Sequence, residues 1–273
     1  MAEIAPHVIA ISARSPSREL ARRIVDTLRP VLPKARFIGG GYGPTNAPEY
    51  FLKFLDYICI GEGDQAIVDL VELPDPTTAQ NVAWMEQGRL RVNPLSEVTD
   101  LDALPFPDWG FDNKFLIEDD TIVAMASAYD TKTYDIFVSK GCPTTCSYCQ
   151  ACQWPRMYSR FGGKIAKVRL RSPGSVIKEL QTAKDHFGIQ YVRFMDSIFG
   201  WDKKWLSAFL DLYESQIGLN FFCNTDARFI DEARVKRLRR AGLQLTQIGV
   251  QAVNERIRQE IMGRKIILVQ DRF

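Results

Sequence analysis

The stretch Cys142-Pro-Thr-Thr-Cys146-Ser-Tyr-Cys149 places three cysteines on one short loop, with three residues between the first pair and two between the second. It follows an apolar stretch at residues 134–139. Three thiolates on one tight loop can hold three irons of a four-iron, four-sulfur cluster and leave the fourth iron open to a substrate or cofactor. The spacing therefore predicts a reactive [4Fe-4S] centre held by Cys142, Cys146 and Cys149.

A fourth cysteine, Cys152, follows after two more residues and leaves other interpretations open. Four thiolates can close a structural zinc site, but such sites usually join two separated cysteine pairs, and one loop of eleven residues would strain the tetrahedron. Inert thiols are a third interpretation. A disulfide scaffold is disfavoured because six cysteines in 273 residues are sparse and no secretory signal begins the chain. Cys152 is predicted to be a bystander of the cluster.

The cysteine loop also resembles a known signature, because the aromatic Tyr148 stands directly before the last cysteine. In this it is similar to the radical S-adenosylmethionine superfamily. The resemblance implies that the methionyl amine and carboxylate of S-adenosylmethionine bind the fourth iron, and that one electron from the cluster cleaves the sulfonium to a 5′-deoxyadenosyl radical. It places Tyr148 near the adenine. The protein would position the cofactor, and the cofactor would supply the chemistry.

Composition and charge describe an ordinary globular chain with two unlike halves. Hydrophobic residues make up 46% of the chain and charged residues 25%, which suits one large domain or two small ones. Residues 1–133 carry 12 Lys and Arg against 20 Asp and Glu, whereas residues 134–273 carry 23 against 13. We therefore expect a domain boundary near the cysteine loop.

The sequence disfavours membrane and nucleic-acid partners. No apolar run approaches the roughly 20 residues that span a bilayer, and residues 1–6 lack a basic segment followed by an apolar core. A cytoplasmic location is expected. The basic stretch at residues 234–240 is predicted to be a solvated helix face, because no aromatic residues are interleaved for base stacking.

Residues 1–72 predict a partial α/β domain. Apolar runs at 7–11, 35–39 and 57–60 alternate with helical patterns at 18–28 and 47–55, as in a parallel sheet with crossover helices. Ligands of open α/β sheets bind beyond the carboxyl ends of the strands, where glycines let the backbone approach them. The candidate cofactor-binding residues at these ends are Ser12, Gly39, Gly40, Gly41, Gly43, Gly61, Glu62 and Gly63.

These strand ends resemble the later half of the cobalamin-binding domain that precedes many radical S-adenosylmethionine enzymes. The resemblance implies that the serine and both glycine segments line the groove for the cobalamin nucleotide tail. The complete domain has two strand-helix units before the one that starts at His7, so a five-stranded sheet is expected to be reduced to three strands. The Asp-x-His-x-x-Gly motif of other cobalamin proteins is absent, as it is from many radical enzymes of this kind.

The rest of the chain is divided into a connector at 73–133 and a second domain at 134–273. The connector is predicted to contain a hairpin over residues 82–92 that turns at Gln87-Gly88. The second domain predicts the start of a barrel of parallel strands, with cofactors at their carboxyl ends. Its predicted strands are 134–139, 191–195, 219–223 and 244–250, and its predicted helices are 173–187, 203–216 and 231–241.

Three residues at these strand ends are candidates for binding S-adenosylmethionine. Asp196 ends the second strand, which faces the methionine amine in related enzymes, although it can instead cap the next helix. Arg228 suits the methionine carboxylate, although it can instead pair with Asp226 or Asp231. Gln251 stands in Ile-Gly-Val-Gln, which resembles the family's Gly-Val-Gln or Gly-Val-Glu at this strand end.

The expected fold is α/β, with a partial flavodoxin-like (Rossmann-like) cobalamin-binding domain followed by an incomplete radical S-adenosylmethionine barrel, and the chain is expected to be a piece of a longer enzyme. The leading hypothesis is a cobalamin-associated radical enzyme that acts on a small molecule, often by methyl transfer to an unactivated carbon, with an electron donor such as flavodoxin or ferredoxin. The alternatives are a catalytically silent cluster or cofactor binder, and a zinc-stabilised interaction module that uses all four cysteines.

Overall fold

The computed structural model describes residues 5–111, 113–119, 121–125 and 132–264. The chain forms two compact units. The first contains the residues up to Thr99 together with Gln153–Lys167, and the second contains Asp100–Cys152 together with the residues from Val168 onward.

The first unit is built on a five-stranded sheet. Its strands, in both sequence and spatial order, are β1 (Val8–Ser12), β2 (Arg36–Gly40), β3 (Tyr57–Cys59), β4 (Val82–Glu86) and β5 (Arg89–Val92). The first three strands are parallel, and β4 and β5 add to them in antiparallel orientation. The predicted parallel core is therefore confirmed, and β2 and β3 lead into the predicted glycine segments, while β1 ends at Ser12.

The expectation of a three-stranded sheet is wrong, because the hairpin assigned to the connector completes the sheet. The hairpin itself is confirmed, and its turn residues Gln87 and Gly88 both have positive φ, at 49° and 76°, as a two-residue hairpin turn requires. Val82 and Ala83 are fully buried. Because these apolar residues must leave water, β4 pairs with β3 instead of running across the surface.

Among the described residues of the first unit, five α-helices are present in whole or in part. They are α1 (Arg18–Leu28), α2 (Tyr42–Asn46), α3 (Pro48–Phe51), α4 (Ala66–Glu72) and α5 (Gln150–Arg160), of which α5 belongs to this unit from Gln153 onward. The helix predicted at 47–55 is real but ends at Phe51. The sequence did not predict α5, which contains Pro155, a residue that normally breaks helices.

The second unit carries the predicted parallel sheet. The strands β8 (Thr133–Ile136), β11 (Tyr191–Phe194), β12 (Asn220–Thr225) and β13 (Leu243–Ile248) lie in the order β13-β12-β11-β8, all parallel. The connecting helices are α6 (Pro173–Phe187), α7 (Lys203–Gln216) and α8 (Glu232–Arg240). Two antiparallel pairs were not predicted: β6 (Phe115–Glu118) with β7 (Thr121–Ala124), and β9 (Ser139–Gly141) with β10 (Val168–Leu170).

Side-chain caps define where the helices of this sheet begin. Ser172, Asp202 and Asp231 each accept a hydrogen bond from a backbone N–H in the first turn of α6, α7 and α8, which satisfies donors that have no partner within the helix. The helices bury an aromatic core against the sheet, in which Phe194 lies against Phe199 and Phe209. The parallel order brings the carboxyl ends of the four strands to one edge, where the cysteine loop also lies.

Within the ranges given above, none of the helices has the length and apolar character needed to cross a membrane.

Candidate active site

A cavity of about 300 Å³ lies in the second unit at the carboxyl ends of its parallel strands. The cysteine loop lines one side of it. Strand ends line the other, with Ser197 following β11, Asp226 following β12 and Gly249 following β13. The full lining is Cys142, Thr144, Cys146, Tyr148, Cys149, Cys152, Ser197, Ile198, Asn224, Thr225, Asp226, Gln247, Gly249, Gln251 and Arg264.

The thiols converge on the hydroxyl of Thr144. Its Oγ1 lies 3.2 Å from Cys142 Sγ, 3.6 Å from Cys146 Sγ and 3.2 Å from Cys152 Sγ. The loop is tightly wound, since the Cys149 N–H donates to the carbonyl of Cys146 at 3.3 Å and the Cys152 N–H to that of Cys149 at 3.1 Å. All four cysteines are reduced.

This donor set fits an iron-sulfur cluster. In the part of the chain that the structure describes, no three Cys, His, Asp or Glu side chains are arranged around one point as ligands of a single ion. The thiolates of a four-iron cluster bind different irons and therefore surround a volume, and here several thiols line one cavity without a competing carboxylate from their own loop.

The thiols of the loop differ in their electrostatic surroundings. Burial raises the pKa of Cys142 and Cys149, and the neighbouring Cys152 thiol raises both further. Burial also acts on Cys146, but its pKa lies below the usual range because a hydrogen bond with Thr144 and the charge of Arg264 outweigh burial. Among the three motif cysteines, Cys146 is therefore the thiol that ionises most readily, and the thiolate is the form that binds metal.

Arg264 ties the cysteine loop to the strand ends. Its Nη2 donates to Asp226 Oδ2 at 2.7 Å and to the carbonyl of Gly249 at 2.6 Å, and its Nη1 donates to the Tyr148 hydroxyl at 3.3 Å and to Cys146 Sγ at 3.7 Å. The residue is only 8% exposed. One guanidinium thus bridges the loop, β12 and β13, a role that the sequence analysis missed.

The backbone before Arg264 also holds the loop. Residues Ile257–Ile261 form a π-helical turn, a conformation that occurs frequently at functional sites. Ser147 donates through its N–H to the carbonyl of Met262 at 3.1 Å and through its hydroxyl to that of Ile261 at 2.6 Å. The buried Arg258 closes the preceding bend by donating to the Ala252 carbonyl at 2.7 Å. The loop is therefore supported from a segment more than a hundred residues away in sequence.

In the first unit, several of the predicted residues lie together at the carboxyl edge of the sheet. Ser12 pairs with Gly40 across β1 and β2. Gly41 has a φ of 90°, and a Cβ there would lie 3.2 Å from Ser12 Oγ. Gly40 and Gly63 both border Cys59. A Cβ on Gly40 would reach only ordinary contact with Cys59, whereas the positive φ of Gly41 and the Ala13 carbonyl oxygen, 3.0 Å from its Cβ position, already require glycine there. Cobalamin binding at this edge stays a prediction.

Two family models match the chain, one described as "B12 binding domain" over residues 1–71 and one described as "Radical SAM superfamily" over residues 136–269. This chain is a radical SAM protein with a B12-binding domain. The cysteine loop, the cavity and the strands β11 to β13 fall within the radical SAM match, which begins at the last residue of β8, and the glycine-rich edge falls within the B12-binding match.

Curated relatives match nearly the whole chain at low identity. An anaerobic magnesium-protoporphyrin IX monomethyl ester cyclase of Cereibacter sphaeroides is 24% identical over 92% of this chain and 40% of its own length. An uncharacterized methyltransferase of Pyrococcus horikoshii is 21% identical over 96% of this chain and 55% of its own length. The chain thus spans about half the length of the curated relatives it matches.

A solved structure confirms the fold. The radical S-adenosylmethionine methyltransferase TsrM from Kitasatospora setae, with cobalamin and [4Fe-4S] cluster bound, superimposes with a TM-score of 0.65 at 17% identity, covering 93% of this chain and 51% of TsrM. A second structure of TsrM, with tryptophan substrate and a SAM analog bound, gives a TM-score of 0.67. The predicted pairing of a Rossmann-like unit with a partial barrel is correct.

Tyr148 and Gln251 lie where the sequence predicted, at the cavity of the radical SAM unit. Tyr148 is 47% exposed, and its hydroxyl accepts a hydrogen bond from Arg264. Gln251 has a φ of 70°, a left-handed conformation that costs a non-glycine residue energy and is concentrated at active sites. A Cβ on Gly249 would come within 2.6 Å of Gln251 Nε2, so the glycine makes room for this side chain.

In the structure Arg228 pairs with Asp226, which was the alternative to its predicted contact with the methionine carboxylate. Its Nε and Nη2 donate to the two carboxylate oxygens of Asp226, both at 2.8 Å, and Arg228 is not part of the cavity lining. Asp226 therefore pairs with Arg228 on one side and Arg264 on the other. Although burial opposes it, these hydrogen bonds and charges hold the pKa of Asp226 below its usual range.

Asp196 does not line the cavity and is only 1% exposed, so the predicted contact with the methionine amine is not supported by its position. It accepts hydrogen bonds from the Val138 N–H at 3.0 Å and from the Ser139 hydroxyl. Asp196 thus joins the end of β11 to the start of β9 and the residue before it. The next two residues, Ser197 and Ile198, line the cavity in its place.

Asp196 is expected to make the stability of the protein depend on pH. Burial raises its pKa to about 6, so the folded state holds a proton that the unfolded state releases between about pH 4 and 6, and stability falls as pH rises through that window. Asp196→Asn should flatten this slope, because the amide never ionises. Denaturant unfolding at about pH 4.5 and 7.5 should show wild type losing about 2 kcal/mol more than the variant. Equal losses would contradict the assignment.

Three glycines of the B12-binding unit make room for its own side chains. A Cβ on Gly39 would collide with Leu55, one on Gly43 with Phe51, and one on Gly61 with Tyr158. These glycines were predicted to admit cobalamin, but close packing within the unit already requires them.

Glu62 is likewise held by its own chain. Its N–H donates to the Tyr158 hydroxyl at 2.9 Å, and its carboxylate accepts the Val98 N–H at 2.9 Å. The predicted contact of Glu62 with the cofactor is therefore not supported by these positions, whereas Ser12, Gly40, Gly41 and Gly63 keep their predicted place at the edge of the sheet.

Gly61→Ala is expected to destabilise the B12-binding unit by about 2 to 4 kcal/mol. The φ of 82° disfavours alanine, and its Cβ would lie 2.5 Å from the Tyr158 hydroxyl. Gly63→Ala is the matched control, because its Cβ would only reach ordinary contact with Cys59 at 3.4 Å, and it should cost less than about 1 kcal/mol. Urea unfolding of both variants measures the difference in their free energies of unfolding. Equal losses of stability would show that contact with Tyr158 does not exclude a side chain at residue 61.

Proposed function

We propose that this chain is the catalytic part of a radical SAM enzyme in which Cys142, Cys146 and Cys149 hold the cluster and the adjoining cavity receives S-adenosylmethionine. The observation that carries the proposal is that the three motif cysteines and the carboxyl ends of three parallel strands line one cavity. Barrel enzymes place their chemistry at this end of the strands.

When bound, the cluster supplies the electron that cleaves S-adenosylmethionine to a 5′-deoxyadenosyl radical. The residues of the chain hold and orient the groups in the cavity. Arg264 holds the hydroxyl of Tyr148, whose ring is the proposed contact for the adenine, and presents positive charge beside Cys146. Asn224 and Gln251 offer carboxamide groups from the strand side, which can both donate and accept hydrogen bonds to a polar cofactor.

We further propose cobalamin binding at Ser12, Gly40, Gly41 and Gly63, and methyl transfer to an unactivated carbon of a small molecule as the overall reaction. The support is the B12-binding match together with relatives that are named as methyltransferases. A relative named as a cyclase leaves ring formation as a second reaction class. The electron donor is proposed to be a flavodoxin or ferredoxin, and the location cytoplasmic.

Anaerobic reconstitution with iron and sulfide tests the proposal. The reduced protein should give the electron paramagnetic resonance signal of a four-iron cluster, the signal should shift when S-adenosylmethionine is added, and 5′-deoxyadenosine should accumulate. A shifted signal without 5′-deoxyadenosine would indicate a silent binder. Stoichiometric zinc without any cluster signal would indicate the interaction module.

The zinc module has one observation in its favour, since Cys152 lies as close to Thr144 as Cys142 does. The variant Cys152→Ser distinguishes a structural zinc site from a cluster-binding site. A four-thiolate zinc site would lose its metal, whereas a cluster held by the three motif cysteines keeps its iron.

A further inference from the structure

Cys152 lies with the cluster cysteines, although the three-cysteine motif does not include it. Its sulfur is 3.2 Å from Thr144 Oγ1, the same distance as Cys142 Sγ and nearer than Cys146 Sγ at 3.6 Å. It lines the same cavity and is half-buried, like Cys149. The chain therefore brings four thiols, not three, to the place where the cluster is proposed to bind.

The backbone keeps Cys152 in this position. It stands in the first turn of α5, and its N–H donates to the carbonyl of Cys149 at 3.1 Å. A thiol held by a helical turn is presented in a fixed direction, whereas a bystander on a free loop would not be. The other two cysteines of the chain, Cys59 and Cys223, are buried in hydrophobic cores, where a thiol fills apolar space. Cys152 instead lines a cavity, so apolar packing does not account for its position.

We propose that Cys152 is a fourth, exchangeable ligand that binds the open iron of the cluster until S-adenosylmethionine arrives. The proposal rests on the proposed function. In the exchange, the bond between Cys152 sulfur and iron breaks, the amine nitrogen and carboxylate oxygen of S-adenosylmethionine bind in its place, and the released thiolate takes a proton from solvent. No electron is transferred in this step.

Binding of Cys152 to the open iron has two effects on the cluster. An iron with no protein ligand is the corner from which a cluster is most readily degraded, and Cys152 covers that corner. A fourth thiolate also adds negative charge, and net charge is among the properties that set cluster potentials. The resting cluster is therefore harder to reduce, and electrons are accepted mainly once the cofactor is in place.

The test measures iron loss, not activity. Wild type, Cys152→Ser and the control Cys223→Ala are reconstituted anaerobically and exposed to ferricyanide without reductant, and the signal of the three-iron cluster is followed with time. Without S-adenosylmethionine, Cys152→Ser should lose iron about tenfold faster than wild type and the control, in the range seen when a metal site loses a supporting group. With saturating S-adenosylmethionine, all three should lose iron at one rate.

The other outcomes decide against the proposal in distinct ways. Equal rates for wild type and Cys152→Ser in the absence of S-adenosylmethionine would overturn it while leaving the proposed function intact. Failure of Cys152→Ser to take up any cluster would make Cys152 one of the permanent ligands and overturn the assignment of an exchangeable one. Absence of a cluster from wild type itself would reject the proposed function and this inference with it.

Discussion

Replacing Cys146 with alanine is expected to abolish the reduced four-iron signal and to lower 5′-deoxyadenosine formation by at least about 100-fold, since even supporting groups of metal sites are worth 10- to 100-fold. Cys146 is 2% exposed, and its pKa is lowered, despite burial, by a hydrogen bond with Thr144 and by the charges of Arg264 and Arg228. It is therefore the ligand best prepared to bind iron. Iron content and the resonance signal of the reconstituted variant provide the measurement.

The matched control is Cys223→Ala, which removes a buried thiol of the same unit outside the cavity. It should keep its iron and its signal. Cys142→Ala and Cys149→Ala should behave like Cys146→Ala. A Cys146→Ala protein that still carries four irons would show that the cluster ligands had been assigned wrongly.

Arg264→Met is expected to destabilise the radical SAM unit by about 3 kcal/mol, at the low end for a broken buried ion pair because Asp226 keeps Arg228 as a partner. It should also lower the yield of reconstituted cluster about tenfold, since the loop loses its tie to the strand ends. Arg264→Lys should recover part of the stability but little of the cluster yield, because an ammonium cannot span the same acceptors as the planar guanidinium. Denaturant unfolding and iron content measure the two effects.

A double variant separates folding from cluster binding. Asp226→Asn combined with Arg264→Met removes the buried carboxylate that has lost one of its two partners, and Arg228, whose side chain is 26% exposed, can be hydrated instead, so part of the lost stability should return. The cluster yield should stay low, because the contacts of Arg264 with Tyr148 and Cys146 are still missing. Recovery of both quantities together would show that Arg264 acts only through the stability of the unit.

The sequence predicted best those elements whose signals are local. The predicted bounds of helices α6 and α7 agree with the structure at both ends. Capping residues such as Ser172 and Asp202 stand directly before apolar patterns of helical period in these segments. The cysteine spacing is equally local. For the same reason α5 was missed, because Pro155 within it is a local signal against a helix and only packing of residues such as Tyr158 overrides it.

Pairing between distant segments was beyond the sequence patterns. The hairpin of β4 and β5 was predicted as a hairpin, but nothing within 82–92 specifies that it joins β3. Arg264 contacts Asp226 and Cys146, which precede it by 38 and 118 residues, and its immediate neighbours form no pattern that marks it. Asp196 was found as a strand end, but its partners are a backbone N–H and a hydroxyl about 57 residues earlier, which spacing does not predict.

The contacts from Ser147 and Cys146 to the segment at 261–264 also determine when the cysteine loop becomes fully supported during synthesis of the chain. The ribosome adds about 5 to 20 residues per second, so the cysteines emerge roughly ten seconds before the residues that brace them. During that interval the loop is held only by its own turns, and its thiols are open to oxygen and to stray metal. Delivery of iron and sulfide is thus expected to follow completion of the radical SAM unit, with the newly made chain needing an anaerobic or chaperoned environment until then.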